Sequence, residues 1–330
     1  MASLGEHALL ERLRRLARKP PPWVPVGIGD DAAVIEPDRG ALMVVSADSL
    51  IEDVHFRRSW SAPRSIGHKA LAVSLSDLAA MGAAPRASLL SLALPAGFAD
   101  SEFDDLLEGY VALASTTGAA LVGGNLARSP GPLVADVTVI GSVKRRRWLE
   151  RGGGRPGDEL YVTGDLGAAA AGLAMFQTSA APADLDESER ACRQRYERPE
   201  ARLAMGLAIG RNRAAVAAID LSDGLADGAA QIAGASGTGV IVEADAVPIH
   251  AGTRRWANRT ASDPLVFALS GGEDYELLFL VRPRQRRAFH AAARKGGKLP
   301  VTRVGRLTRE PGCWLERAQG LERLPSGFAH

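Results

Sequence analysis

The sequence predicts an α+β protein of two domains, on three observations. The chain has 330 residues, more than one ordinary hydrophobic core organises, and its 46% hydrophobic content suffices for substantial cores. Strand-like and helix-like segments are mixed without the strict alternation that predicts a doubly wound sheet. A glycine-rich break from Arg151 to Gly157 separates the two halves. We therefore expect one domain at residues 1–150 and another at residues 151–330.

The N-terminal half combines helical periodicity with short apolar strands. Leucines recur at helical spacing from Leu4 onward, and the prolines at 20–22 end that helix. Gly82 is expected to cap a second helix, and Ser101 to begin a third as its N-cap. The predicted elements are a helix from Leu4 to Lys19, a strand at 42–45, a helix at 65–81, a strand at 87–94, a helix from Ser101 to Thr117 and a strand at 133–143.

Strands and helices also follow one another irregularly in the C-terminal half. The segment from Gln177 to Arg195 is Ala-rich, acidic and then basic, and we expect a mobile surface excursion there. Pro199 suits the first position of the helix that follows. The other predicted elements are a strand at 159–163, a helix at 167–175, a strand at 217–221, a helix at 225–235 and strands at 240–242 and 277–281.

Composition and charge exclude several classes of protein. The net charge is only +2, and the run from Lys144 to Arg147 is best explained as a solvated strand end, so no nucleic-acid partner is expected. Cys192 and Cys313 are far apart and outside zinc spacing, which indicates unpaired thiols in a reducing compartment. No apolar run is long enough to span a membrane, and the N-terminus lacks the apolar region of a signal peptide. We expect a cytoplasmic protein without a membrane partner.

The common nucleotide-binding motifs are absent. Gly297-Lys298 is followed by Leu299, which excludes a P-loop, and Gly27 and Gly29 run directly into aspartates instead of forming a dinucleotide fingerprint. The metalloprotease, serine-hydrolase and protein-kinase signatures are also missing. If the chain uses ATP, another kind of site must hold it.

Aspartates on turns and strand ends are the strongest chemical signal. Any single one is more often a cap, a turn or a surface charge. Asp77 resists that explanation, because its neighbours in an otherwise apolar helix leave little room for a solvated face. Converging carboxylates repel one another unless divalent cations bind between them, and oxygen ligands without His or Cys favour Mg²⁺ or Mn²⁺. The segments concerned are Gly27–Ala33, Ser46–Asp48, Asp77 and Asp220–Gly224.

Two further features are ambiguous when taken alone. Ser270–Glu276 is either a Gly-Gly turn with solvated acids or a flexible turn that presents Glu273 to a substrate cation or hydroxyl. His55 is either a packed or capping histidine or a substrate ligand.

Taken together and in order, these segments resemble the thiamine-monophosphate kinase family, of the superfamily that includes aminoimidazole ribonucleotide synthetase and selenophosphate synthetase. The resemblance spans nearly the whole chain, and the ordered set of motifs is very specific. The matching stretches are GIGDDAAV from Gly27, SADSLIEDVHF from Ser46, HKALAVSLSDLAAMGAAP from His68, VGGN from Val122, RPGDELYVTGDLG from Arg155, IDLSDGL from Ile219, SGGEDYELLF from Ser270 and the final Gly327-Phe328.

The resemblance implies direct transfer of the γ-phosphoryl group of ATP, the co-substrate, to thiamine monophosphate, without a covalent phosphoenzyme or a catalytic nucleophile. Positioning and the electrostatics of several Mg²⁺ ions would supply the catalysis. A cationic thiazolium suits an aromatic ring and a carboxylate as neighbours. By analogy, the metal ligands are Asp31, Ser46, Asp48, Asp77, Asn125, Asp220 and Asp223, the ATP ligands are Gly124, Arg151 and Ser222, and the thiamine monophosphate ligands are His55, Glu273 and Phe328.

Two positions depart from the family pattern. Asn125 stands where Asp usually follows the Gly-Gly pair, so it keeps a carbonyl oxygen but loses a charge and is expected to bind a metal more weakly. Ala47 stands where Ser or Thr is common, which leaves only its backbone carbonyl for ligation. Asp30 is expected to shape the turn beside Asp31 rather than to act as a principal ligand.

The resemblance also implies a two-domain α+β fold like that of aminoimidazole ribonucleotide synthetase. In this fold the N-terminal sheet completes a barrel across a homodimer, which removes exposed sheet edges. Two alternatives to the kinase remain open, namely another ATP-dependent member of the superfamily and a catalytically silent nucleotide-binding homologue. Asn125 favours the silent homologue, whereas the retained aspartates and Glu273 disfavour it.

Overall fold

The computed structural model describes residues 6–17, 20–178 and 181–327. Contacts between residues divide this part of the chain into two units. Of the described residues, the first unit takes those up to 78 and 84–145, and the second takes 79–83 and those from 146 onward. Within the described ranges, no helix is both long and apolar enough to cross a membrane.

The first unit contains a four-stranded mixed sheet in the order β1-β4-β2-β3. β1 and β2 each pair antiparallel with β4, and β2 and β3 run parallel. The sheet is open, with β1 and β3 at its edges, and the described residues form no closed barrel. Its elements are α1 (Glu6–Leu16), β1 (Ala41–Ile51), α2 (Pro63–Ala80), β2 (Ala84–Pro95), α3 (Asp100–Thr117), β3 (Ala120–Ser129) and β4 (Val134–Lys144).

Successive side chains of this sheet point to opposite faces. Ser46 and Asp48 lie on the face against which α2 packs, where Ser46 Oγ donates a hydrogen bond to Asp77 Oδ2. Register places a row of polar side chains on the other face. The row takes one residue from each strand, namely Ser49, Asp136, Ser91 and Asn125.

The second unit contains a seven-stranded mixed sheet in the order β11-β10-β7-β9-β5-β8-β6. Leu278 and Leu280 pack with α7 and α9 on one face, while Phe279 packs with α6 and α10 on the other. The elements are β5 (Glu159–Thr163), α4 (Ala168–Gln177), α5 (Glu187–Glu197), α6 (Leu203–Asn212), β6 (Ala217–Asp220), α7 (Leu225–Ser236), β7 (Gly239–Glu243), α8 (Ala251–Thr260), α9 (Pro264–Ser270), β8 (Leu277–Val281), α10 (Arg286–Lys295), β9 (Val301–Thr308), β10 (Cys313–Arg317) and β11 (Gly320–Arg323).

The predicted α+β class is confirmed, but four local predictions were wrong. β1 continues through Ser46 and Asp48, because its residues alternate between a partly buried face and an exposed face along the whole strand. The N-cap of α3 is Ala99, not Ser101, and Glu102 completes the cap by accepting the Ala99 N–H at 2.9 Å. The helix expected to open at Pro199 begins at residue 203.

The fourth wrong prediction is the mobile excursion at 177–195. Residues 187–195 of that segment belong to α5, whose Cys192 and Tyr196 are buried. Asp186 caps this helix by accepting the Glu189 N–H at 2.8 Å, and the Asp186 N–H donates to Glu189 Oε2 at 3.0 Å. A capping box and a buried face therefore order a segment whose composition alone indicated a loop. Cys192 and Cys313 are free thiols, as predicted.

Candidate active site

Ser46, Asp48 and Asp77 form one polar group in the first unit. Asp77 lies in the last two turns of α2 and is half-buried, and its carboxylate accepts the hydrogen bond from Ser46. One oxygen of Asp48, Oδ2, is buried and has no hydrogen-bond partner. A buried carboxylate oxygen without a partner is costly unless a cation or a donor binds to it.

Electrostatics in this group disfavour two free carboxylates. Burial raises the pKa of the Asp48 carboxyl above its usual range, and the nearby Asp77 carboxylate raises it further. A hydrogen bond from Ser74 opposes both effects. A bound cation would offset both the cost of burying the Asp48 carboxylate and its repulsion by Asp77. The group therefore has the chemistry of a metal site.

Asp31 and Asn125 lie on the other face of the sheet, so the structure does not bring them together with Asp48. They line a cleft of about 790 Å³ within the first unit, together with Asp30 and Asp136. Asp30 Oδ1 accepts the Asp31 N–H at 3.0 Å, which is the turn role expected for it. The predicted metal ligands of this unit therefore divide into two groups on opposite faces.

Gly124 brings the backbone of β3 close to β2 at the wall of the same cleft. Its φ is +156°, and a Cβ atom there would lie 1.8 Å from the Leu90 carbonyl oxygen. Only glycine fits this position. The predicted ATP ligand is thus a site of close backbone approach, where no side chain intervenes.

His55 is held in one orientation by the turn that follows β1. Its Nδ1 accepts the Ile51 N–H at 3.1 Å, and Lys69 Nζ donates to its carbonyl oxygen at 3.0 Å. In the neutral ring the proton therefore lies on Nε2, which makes Nε2 a donor. This arrangement is compatible with His55 as a capping histidine and with His55 as a substrate ligand. Nδ1 caps the turn, whereas the turn makes no use of Nε2.

Ser222 and Asp223 lie in the second unit between β6 and α7. Ser222 Oγ donates to Asp223 Oδ2 at 2.7 Å, and Asp220, at the end of β6, is buried. Gly224 is the N-cap of α7, with φ of 93°. These side chains therefore precede the N-terminus of a helix, whose unpaired N–H groups and dipole favour anions.

Arg151 and Gly327 lie beside the same helix. Arg151 Nη1 donates to Gln231 Oε1 at 2.7 Å, and Gln231 in turn donates to Asp227 in the first turn of α7. A Cβ atom at Gly327 would lie 2.7 Å from the Asp223 carbonyl oxygen. Phe328, a predicted substrate ligand, lies outside the described residues.

Glu273 belongs to a turn that is tied to Ser222 by the backbone. The Glu273 N–H donates to the Ser222 carbonyl at 2.7 Å. The next residue, Asp274, turns inward and accepts the N–H groups of Gly167 and Ala169, at 2.6 and 3.1 Å. Burial raises the pKa of Asp274 to about 7, against the effect of those two hydrogen bonds.

Glu276 anchors the same turn through its side chain. Its side chain is fully buried, and Arg202 forms two hydrogen bonds to its carboxylate. Arg195 Nη1 donates to Glu276 at 3.0 Å, and Thr163 Oγ1 donates at 2.5 Å. Arg195 lies in α5, the segment that was predicted to be mobile.

The sequence interpretation missed Asp136, Asp274 and Glu276. Asp136 could have been found from the sequence, because it is a polar residue between apolar neighbours in a strand and therefore points away from the apolar face. In the sheet it pairs with Ser49 and lies on the same face. Asp274 and Glu276 were noticed only as neighbours of Glu273. Their burial depends on α4 and α5, which is not visible in a local pattern.

The candidate metal ligands fit Mg²⁺ by donor type, since they are carboxylate, hydroxyl and amide oxygens. Among the described residues, no three Asp, Glu, His or Cys side chains are gathered into a preformed metal cage. This is compatible with Mg²⁺, which commonly takes one or two carboxylates and completes its shell with water and substrate phosphates.

Comparisons with known proteins identify the family. The models of the N-terminal and C-terminal domains of AIR synthase related proteins match residues 29–143 and 155–315. A thiamine-monophosphate kinase of Rhodopirellula baltica is 35% identical over 334 residues, covering 98% of this chain and 97% of the relative.

Solved structures agree with the sequence relatives. The thiamine-monophosphate kinase of Stenotrophomonas maltophilia K279a is 39% identical with a TM-score of 0.82, over 96% of this chain and 98% of that chain. The structure of AaThiL complexed with AMPPCP and TMP is 30% identical with a TM-score of 0.78, over 99% of this chain and 98% of that chain. This chain belongs to the thiamine-monophosphate kinase family of AIR synthase related proteins.

Proposed function

We propose that the protein transfers the γ-phosphoryl group of ATP to the phosphate of thiamine monophosphate, giving thiamine diphosphate and ADP. Full-length similarity to thiamine-monophosphate kinases supports this activity, as does the relative bound to AMPPCP and TMP. The observation within the molecule that carries it is the group of Ser46, Asp48 and Asp77, with its buried, unpartnered carboxylate oxygen.

Mg²⁺ would be held in each unit by oxygen ligands. In the first unit these are Ser46, Asp48 and Asp77 on one face, and Asp31 and Asn125 on the other. When bound, the ions would neutralise negative charge on the phosphates of ATP and on the transferred group. In the second unit we propose Asp220 and Asp223 as the metal ligands.

The remaining residues would bind and orient the two substrates. Ser222 precedes the N-terminus of α7, where helix N–H groups favour phosphate, and Arg151 lies beside the same helix. Gly124 lets the ATP approach the backbone of β3 directly. Because these residues act by positioning and charge, we propose direct in-line transfer without a covalent intermediate.

Thiamine monophosphate carries a cationic ring and a phosphate. We propose that the Glu273 carboxylate faces the thiazolium and that Phe328 adds a cation–π contact. His55 can donate a hydrogen bond from Nε2, because its Nδ1 is occupied by the Ile51 N–H.

We propose that the enzyme is a cytoplasmic homodimer that pairs through the sheet of the first unit. β1 is an edge strand, and Met43 and Val45 on it are 63% and 59% exposed. Exposed apolar side chains on an unpaired edge are a liability that pairing with a second copy would remove. A barrel completed across the dimer would cover this edge.

The direct test uses purified protein with ATP, Mg²⁺ and thiamine monophosphate, and follows thiamine diphosphate by chromatography. We expect product formation that requires all three components. A folded, ATP-binding protein that yields no product would overturn the kinase proposal. It would favour a silent nucleotide-binding homologue, for which the loss of charge at Asn125 is the supporting observation.

A further inference from the structure

The turn that carries Glu273 has a strained backbone. Glu273 and Tyr275 both adopt left-handed conformations, with φ of 70° and 51°, although neither is glycine. Such conformations are unfavourable for residues with a Cβ atom and persist only where the surroundings impose them. The position of Glu273 therefore depends on whatever holds this turn.

Besides the anchor at Glu276, two kinds of contact hold it. The backbone N–H groups of Glu273 and Tyr275 donate to the carbonyls of Ser222 and Leu221, at 2.7 and 3.0 Å, which ties the turn to the segment after β6. Between them, the Asp274 side chain points toward α4 and is 5% exposed. It accepts two N–H groups at the start of that helix. The strained residues thus flank Asp274, which anchors the turn to the start of α4.

We propose that Asp274 is a positioning residue, which fixes the strained turn through α4 and thereby orients Glu273 toward thiamine monophosphate. Asp274 is buried and does not itself touch the substrate. Its two acceptor oxygens match the two N–H groups of Gly167 and Ala169, and a carboxylate can accept both at once. This inference rests on the proposed function, because it assigns Glu273 to the thiamine monophosphate site.

Asp274→Asn is the primary test. Asparagine has nearly the same shape, but it keeps one acceptor oxygen and places an NH₂ group against an N–H donor. We expect the KM for thiamine monophosphate to rise about tenfold, with the KM for ATP changed less than about twofold. Asp186→Asn is the matched control, since Asp186 caps α5 by bonding to Glu189 and Ser188 of its own helix. We expect it to leave both KM values unchanged.

A double-mutant cycle distinguishes positioning from a general loss of stability. If Asp274 acts through Glu273, Asp274→Asn will raise the KM in the wild-type background but not in a Glu273→Gln background. Ala169→Pro provides a second route, because it removes one N–H that Asp274 accepts at a first-turn position where proline is tolerated. We expect it to raise the same KM.

Circular dichroism and thermal unfolding confirm that each variant is folded. Equal effects of Asp274→Asn in both backgrounds, or effects that match those of Asp186→Asn, would overturn the positioning role while leaving the kinase proposal intact. A folded wild-type protein without activity on thiamine monophosphate would overturn both.

Discussion

Ser46 in β1 and Asp77 in α2 are joined by a hydrogen bond from the Ser46 hydroxyl to the Asp77 carboxylate. The bond links the strand to the helix that covers its face. Asp48, on the same face of β1, keeps a buried oxygen without a partner. The protein thus keeps two carboxylates close together between β1 and α2, which is difficult to explain by stability alone.

Replacement of Asp77 by Asn is expected to reduce activity by about two orders of magnitude or more, because a metal-binding charge is lost. The amide can still accept the Ser46 hydrogen bond, so folding should be preserved. Initial rates and thermal unfolding measure the two effects. Glu108→Gln in an exposed ion pair with Arg64 is the control. Retained activity would mean that Asp77 is structural.

Replacement of Asn125 by Asp should restore the charge that is missing after the Gly-Gly pair. We expect the Mg²⁺ concentration for half-maximal activity to fall about fivefold, which corresponds to ~1 kcal/mol. Without Mg²⁺ the variant should be less stable than the wild type, because Asp30, Asp31 and Asp136 line the same cleft. A Mg²⁺ titration followed by activity and by melting temperature tests both. An unchanged Mg²⁺ dependence would exclude residue 125 as a ligand.

Gly124→Ala should destabilise the first unit and abolish ATP binding. The added Cβ atom would clash with the Leu90 carbonyl, so β2 and β3 must separate. We expect a loss of about 2–3 kcal/mol in the free energy of unfolding, measured by denaturant titration. At Gly131 a Cβ atom would meet no atom within 4 Å, which makes Gly131→Ala the control. Equal stability of the two variants would contradict the close approach.

Arg202→Gln should be strongly destabilising, because it removes the two hydrogen bonds that the Arg202 guanidinium donates to the Glu276 carboxylate. The Arg202 side chain is 10% exposed and that of Glu276 is fully buried. Breaking such a buried pair costs about 3–5 kcal/mol. Arg317→Gln removes an exposed pair with Glu322 and should cost less than about 1 kcal/mol. Denaturant unfolding compares them, and similar losses would show that Glu276 is not dependent on Arg202.

Asp274 should make the stability of the protein depend on pH. Its pKa is raised to about 7 in the folded state, mainly by burial, with Glu276 raising it and Arg195 lowering it. The folded protein thus holds this proton more tightly than the unfolded chain, so the contribution is greatest at low pH and is lost as the pH rises toward 7. We expect the wild type to lose more stability than Asp274→Asn between pH 5 and pH 8. Parallel unfolding curves would contradict the raised pKa.

Much of the fold followed from periodicity and turn chemistry. The bounds of β5 and β8 were predicted correctly, because their apolar runs lie between clear turn residues. The order of α5 was not predictable in this way. Its Ala-rich, charged sequence lacks a strong apolar stripe, and its stability comes from a capping box and from packing on α4. Local patterns do not contain that information.

The structure brings some of the predicted site residues together and separates others. Ser46, Asp48 and Asp77 lie together, yet Asn125 lies on the opposite face of the same sheet. The division follows from register, which pairs Asn125 with Ser91, and register is set by the whole sheet. In the second unit, Asp220, Ser222 and Asp223 lie just before the N-terminus of α7, which the turn signal at Gly224 had indicated.

The alternation of Asp48 and Ser49 along β1 restricts how this strand can change in evolution. Deleting or inserting one residue before Asp48 would exchange the two faces, so that Ser49 would point toward α2 and Asp48 into the cleft. An insertion or deletion of two residues would return Asp48 and Ser49 to their present faces, but it would shift the pairing of β1 with β4. We therefore expect natural variants to tolerate changes of length in the turn at 36–40, and to conserve the length of the strand itself.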